Sequence, residues 1–215
     1  MRPRTVVGCL LNFQGAWKAM EPAMHQDPHF KPPQHAGLYL KPTNTFRGPG
    51  DAIVLPAGVG EVEVGATLGV VIGAPASRLT EAEAMRFVAG YVPVNDVTVP
   101  HTKVLRPPIK QKCRDSFCPI GEQVAAGGVG DPGALQIRAY VNGELKATRS
   151  TRDLLRPVPR LLAEVTEFMT LEPGDILLVG VPEDMPLARA GDTVAVEIEG
   201  VGRLENPVRA EGAAS

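Results

Sequence analysis

A chain of 215 residues, 44% apolar and 21% charged, is large enough to bury one sizeable core, and its length does not demand a second domain. A net charge of -2 with the signs interspersed leaves no basic footprint for nucleic acid, and no window reaches the roughly 18 consecutive apolar residues of a membrane span. Met1 to Arg4 leads only into the short apolar run Val6 to Leu11, unlike a secretory signal, so a cytoplasmic address is expected. Cys9, Cys113 and Cys118 are too irregularly spaced for a disulfide framework or a zinc site, and reduced thiols are expected.

Gly 23 and Pro 21 suit many short strands joined by specific turns. Taken in chain order, apolar runs and alternation predict strands at Thr5 to Leu11, Gly37 to Lys41, Ala52 to Leu55 and Gly65 to Ile72. Phe13, Trp17 and Met20 make a helically spaced apolar edge, read as packing, and the Pro-rich stretch His29 to Pro42 reads as a loop holding a short strand. Thr80 and Glu83 form a capping box that opens a helix over Glu81 to Val88. Strands follow at Tyr91 to Val99, Ala134 to Val141 and Gly143 to Thr148. The last two are joined at Asn142-Gly143, which accepts the positive φ angles of a type I′ turn. A second helix begins near Pro157 with Leu161, Leu162, Val165, Phe168 and Met169 on one apolar face, and Leu171 to Asp175 returns the chain to strands at Ile176 to Val179 and Thr193 to Glu199. The class is α+β, mainly β.

The stretch Ala89 to Gly121, AGYVPVNDVTVPHTKVLRPPIKQKCRDSFCPIG, carries the chemistry. Asp96 sits in an apolar strand pattern, and a buried acid needs a partner. Arg106, Lys110, Lys112, Arg114 or a divalent metal could supply it, in a site or in an ordinary structural ion pair. Cys113 lies beside Lys112 and Arg114, which would lower its pKa, but no paired histidine is evident. His29, His35 and His101 lack the spacing of a metal motif and read as solvent-exposed or locally bonded.

The ordered motifs Leu40-Lys41-Pro42, GATLGVVIG from Gly65, AGYVPVND, KCRDSFCPIG, VNGE, FMTLEPGDILLVGVP and GDTVAVEIEGVGRLENPV resemble the fumarylacetoacetate hydrolase family from about Val6 to Val208. Within it the likeness is to the amino-terminal half or subunit type of the bifunctional isomerase/decarboxylase branch of 4-hydroxyphenylacetate (homoprotocatechuate) catabolism. The resemblance implies a mixed β-roll with a few flanking helices and a lid-like segment at about residues 12–36. It also implies Mg2+ or Mn2+ bound against a 2-oxo carboxylate, where a hard cation would stabilise an enolate. The reactions implied are decarboxylation of 5-oxopent-3-ene-1,2,5-tricarboxylate and isomerisation of 2-hydroxyhepta-2,4-diene-1,7-dioate to its 2-oxo form.

This chain departs from the family where the metal is held. The family's Glu-x-Glu, two carboxylates on one strand face, is replaced by Gly65 and Thr67. Glu61 and Glu63 have the same alternation and could stand in for the missing pair, but they fall upstream, on the expected approach loop. Asp96 matches the third ligand as a remnant, so metal is expected to bind weakly or not at all. The family's lid pair, His-x-x-Glu, is replaced by Ala16 and Ala19, with Glu21 and His25 downstream as exposed loop residues. Lys112 matches the active-site lysine and Lys41 the lysine of the LKP loop near the substrate. Arg106 and Arg114 would clamp a distal carboxylate, with Asp115 orienting it or Lys112; a structural Arg114–Asp115 ion pair is the alternative. Val181 replaces a family threonine. Two readings of function stand. One is a decarboxylase/isomerase subunit in which Lys112 and Asp115 are catalytic and Lys41, Arg106 and Arg114 bind an acidic substrate. The other is a noncatalytic partner of a metal-binding paralogue, and an acylpyruvate-type hydrolase comes third. The resemblance also implies an oligomer, of identical copies or with a paralogous C-terminal-type subunit.

Overall fold

The computed structural model describes residues 3–27, 30–101 and 108–212. Two mixed sheets carry the fold. The six-stranded sheet runs Gly37–Lys41, Val6–Leu10, Ile176–Leu178, Ala66–Ile72, Val88–Asn95 and Val124–Ala125, and the five-stranded sheet runs Glu144–Ser150, Gln136–Val141, Thr193–Ile198, Gly202–Ala210 and Ile53–Leu55. Val6–Leu10 pairs in parallel with Ile176–Leu178, as does Gly202–Ala210 with Ile53–Leu55. The architecture is α+β and mainly β, as the sequence implies.

Side-chain alternation divides the apolar residues between two cores. Val7, Leu68 and Val70 of the first sheet share one with Ile137, Ala139, Val194 and Val196 of the second, and Leu161, Leu162 and Val165 of the helix Val158–Thr166 complete it. Val6, Val71, Val92, Val94, Ile176 and Leu178 form a smaller cluster with Phe46 and Cys118. Every residue of Ala66–Ile72 is buried, the pattern of a continuous apolar run covered on both faces. The sheets thereby hold the ends of Gly37–Lys41 and Val88–Asn95 in a rigid frame, and the candidate site is built at those ends.

The Asn142-Gly143 turn has φ of 53° and 78°, as a type I′ hairpin requires, and the Asn142 side chain ties it to Asp192 and to the Thr193 backbone. Some expected boundaries shift. The helix opened by Thr80 and Glu83 is α-helical only over Glu81–Ala84 and continues as a 3-10 turn at Met85–Phe87. The next strand starts early, at Val88, and ends at Asn95, where the chain leaves the sheet. The later helix stops at Thr166, whose hydroxyl bonds back to the Leu162 carbonyl at 2.8 Å. Phe168 therefore lies outside the apolar face and is 73% exposed. Phe13, Trp17 and Met20 belong to or flank a helix, Gln14–Met24, that carries Pro22 near its end. The strand Gly202–Ala210, which composition does not announce, points Leu204, Asn206 and Val208 inward. Among the described residues no helix is long and apolar enough to cross a membrane.

Candidate active site

Asp96 follows directly on the last residue of its strand and is completely buried. Three groups from two segments converge on it. Lys112 Nζ donates to Oδ2 at 2.8 Å and the Tyr39 hydroxyl donates to the same oxygen, while Lys41 Nζ lies 2.7 Å from Oδ1. That last contact falls off the hydrogen-bonding direction and acts as an ion pair. Lys41 and Tyr39 come from one strand, two residues apart and hence on one face. Lys112 comes from the short helix Ile109–Lys112. Gly8 makes room for the Tyr39 ring, since a Cβ there would lie 2.1 Å from Tyr39 Cζ.

Burial by itself pushes the Asp96 carboxyl up, but Lys112 and Lys41 outweigh it and hold the group at about 2. Burial draws the Lys112 ammonium below the ordinary lysine range, with Asp96 opposing. The cluster therefore holds an ionised carboxylate between two ammonium groups. Lys112 also donates to Thr98 Oγ1 at 2.7 Å and sits 4.8 Å from the centre of the Tyr39 ring.

The two lysines differ in reach. Lys112 is 8% exposed and borders a cavity of about 280 Å3, whose polar lining also includes Tyr39, Glu63, Thr98 and His101. Leu10, Leu11, Ala16, Met20 and Val181 make much of the remainder. Lys41 has no exposed side chain and does not line the cavity. Its ammonium donates to the Lys112 carbonyl at 2.7 Å and the Val97 carbonyl at 3.2 Å. The expected direct substrate contact by Lys41 is thus corrected: its side chain serves the interior.

Other expected site residues are also relocated. Asp115 is exposed and accepts from Asn44 Nδ2 at 2.7 Å, and Arg114 donates Nε to the Lys110 carbonyl; neither lines the cavity. Among the described residues they form no ion pair with each other. Arg106 lies outside the described residues, as does His29. Burial pushes the Cys113 thiol up, outweighing the lowering pull of Lys41 and Lys112, and Cys9 and Cys118 are pushed up to about 12. Glu21 and His25 are exposed. Glu61 pairs with Arg189 at 3.2 Å, away from the cluster.

Glu63 and His101 are the additions. Glu63 lies in a short strand rather than a loop, its backbone paired with Thr98, and burial raises its carboxyl pKa against the pull of Lys112. His101 lines the same cavity rather than facing solvent alone.

A hard divalent cation needs about six oxygen ligands in an open, largely anionic set. The donors here do not fit one. Asp96 has both carboxylate oxygens engaged by cations, Thr67 Oγ1 donates to the Gly180 carbonyl at 2.5 Å, and a Cβ on Gly65 would lie 2.0 Å from the Asp96 carbonyl oxygen. No carboxylate side chain can stand at position 65 with this backbone. Among the described residues, no three His, Cys, Asp or Glu side chains converge as a metal-binding group. Lys41, enclosed by one carboxylate and two carbonyl oxygens, and Lys112 are the cations at Asp96. Gly65→Ala is accordingly expected to lower stability by ~1–3 kcal/mol or more, the usual cost of overpacking, measured by denaturant unfolding.

The sequence profile of the fumarylacetoacetate (FAA) hydrolase C-terminal family matches residues 5–209. The chain belongs to the fumarylacetoacetate hydrolase family. It is 40% identical over 204 residues to the 4-hydroxyphenylacetate degradation bifunctional isomerase/decarboxylase of Escherichia coli, an alignment covering 95% of this chain and 47% of that one. The chain spans about half the length of these curated relatives. Among solved family structures, the 5-carboxymethyl-2-hydroxymuconate delta-isomerase from Mycobacterium smegmatis matches with a TM-score of 0.83 at 31% identity, over 98% of this chain and 80% of that one. Maleylpyruvate hydrolase from Sphingobium sp. SYK-6, solved in complex with manganese (II) ion and pyruvate, gives 0.80 at 29% identity, over 97% and 71%. This fumarylacetoacetate hydrolase family member keeps the fold of that manganese-bound relative while its own residues at Asp96 suit an ammonium.

Proposed function

We propose that this chain is the amino-terminal-type subunit of a decarboxylase/isomerase of 4-hydroxyphenylacetate catabolism, acting on 5-oxopent-3-ene-1,2,5-tricarboxylate and 2-hydroxyhepta-2,4-diene-1,7-dioate without a bound metal. The observation that carries the reading is Lys112: its ammonium is oriented by Asp96 and Thr98 and faces a cavity otherwise largely apolar. Both reactions develop negative charge on an oxygen conjugated to the reacting carbon. A preorganised ammonium in a dry cavity stabilises that charge more than it stabilises the ground state. A second cavity of about 260 Å3 shares Leu10, Leu11 and Met20 with the first and includes Lys31, His35 and Arg156, which suits an elongated substrate carrying a carboxylate at its far end.

The noncatalytic-partner reading is favoured by the missing carboxylates at Gly65 and Thr67 and by Ala16 and Ala19 on the lid segment. Assaying decarboxylation and tautomerisation separately, with this chain alone, with a paralogous C-terminal-type subunit alone and with both, decides between them. The proposal expects this chain alone, treated with a chelator, to turn over at least one substrate. Turnover confined to reactions that contain the paralogue would assign this chain to assembly.

A further inference from the structure

We propose that Glu63 and His101 are the proton-transferring residues of this cavity, Glu63 accepting a proton from the substrate's enol hydroxyl and His101 delivering one to carbon. The inference rests on the isomerase reading above and adds the groups that move the protons.

The cavity's apolar lining transfers no protons. The Cys9 thiol is pushed up to about 12 by burial, the Tyr39 hydroxyl is spent on Asp96, and Lys112 is fixed as a donor to Asp96 and Thr98. Among the described residues, Glu63 and His101 are the titratable lining groups whose side chains have no hydrogen-bond partner. Glu63 is held by backbone bonds to Thr98, with its N–H 2.8 Å from the Thr98 carbonyl, and Thr98 Oγ1 accepts from Lys112. Thr98 thereby joins the Glu63 backbone to the Lys112 ammonium, and the Glu63 carboxyl lies within electrostatic reach of Lys112. Burial raises the Glu63 carboxyl toward the range useful for a general base. His101 lies three residues beyond Thr98. Its Nδ1 is buried and, among the described residues, has no hydrogen-bond partner. His101 also lines the cavity a substrate would occupy.

For a 2-hydroxy-2,4-dienoate the step balances. The O–H bond breaks toward Glu63 and its electron pair forms the C2=O bond. The C2=C3 and C4=C5 pairs shift to leave C3=C4, and C5 takes a proton from His101. Exchange with water returns both residues to their starting state. No oxidant or reductant is needed.

The test follows proton exchange separately from full turnover. The chain is incubated in D2O with 2-oxobutyrate, and loss of the C3 protons is followed by NMR for wild type, Glu63→Gln and His101→Gln, with thermal melts verifying the fold. Wild type is expected to catalyse exchange and each variant to slow it at least 100-fold. In parallel, tautomerisation of the dienoate is expected to fall at least 100-fold in kcat with KM within about threefold. Exchange by either variant within threefold of wild type overturns the proposal, as does wild type that exchanges no protons. Exchange that depends on both residues, in a chain that leaves the dienoate unchanged, supports the proposal and removes the substrate assignment instead.

Discussion

Asp96→Asn is expected to destabilise the folded chain by about 3–5 kcal/mol, the cost of removing one partner from a buried charge cluster. The amide keeps a single, uncharged acceptor oxygen, so either Lys41 or the Lys112–Tyr39 pair would face its NH2 group, and both lysines would lose the compensating charge. Denaturant unfolding measures the loss, and the account expects the same loss with or without a chelator because the charges being separated belong to the chain. Acid acts through the same group. The Asp96 carboxyl sits at about 2 in the fold against an ordinary 3.8, so the unfolded chain takes up its proton first as pH falls. The stability it contributes is present above about pH 4 and is lost toward about pH 2, a change on the order of 2 kcal/mol. Asp96→Asn should lack that part of the acid slope. A variant as stable as wild type, with an unchanged acid slope, would contradict the buried-cluster account.

Lys112→Ala is expected to lower kcat by about 100- to 1000-fold for the reaction this chain catalyses, the usual effect of deleting one preorganised donor to a developing oxyanion. The structural cost is smaller, because Asp96 keeps Lys41 and Tyr39. Loss of activity in a folded variant therefore reports on chemistry. Ethylammonium added to Lys112→Ala should restore a measurable fraction of the rate, since the cavity that Lys112 borders has room for a small cation once the side chain is gone. Turnover by Lys112→Ala within threefold of wild type would take the catalytic role from this lysine.

Both effects depend on residues that differ in how far sequence reasoning could reach them. The strands Gly37–Lys41 and Ala66–Ile72 and the Asn142-Gly143 hairpin were legible because alternation, apolar runs and turn chemistry are local. Gly202–Ala210 was not, because Gly202, Pro207 and alternating charges disguise a strand whose burial is set by its neighbours on both sides. The Asp96–Lys112 pairing lies within one short stretch of chain and could be anticipated. The enclosure of Lys41 could not, since it depends on how two carbonyls close over its ammonium. Tyr39 and His101 carry no motif and Glu63 only the spacing it shares with Glu61, and the fold alone sets the three around one cavity. Gly65 read as a missing carboxylate; the structure adds that the backbone of Asp96 fills the space a side chain there would need.

The central claim is that the chain's own lysines, Lys41 and Lys112, balance the Asp96 charge without a metal ion. Calorimetric titration of the chelator-treated protein with manganese tests it most directly: no stoichiometric binding is predicted, and tight binding of one manganese per chain, abolished by Asp96→Asn, would contradict it.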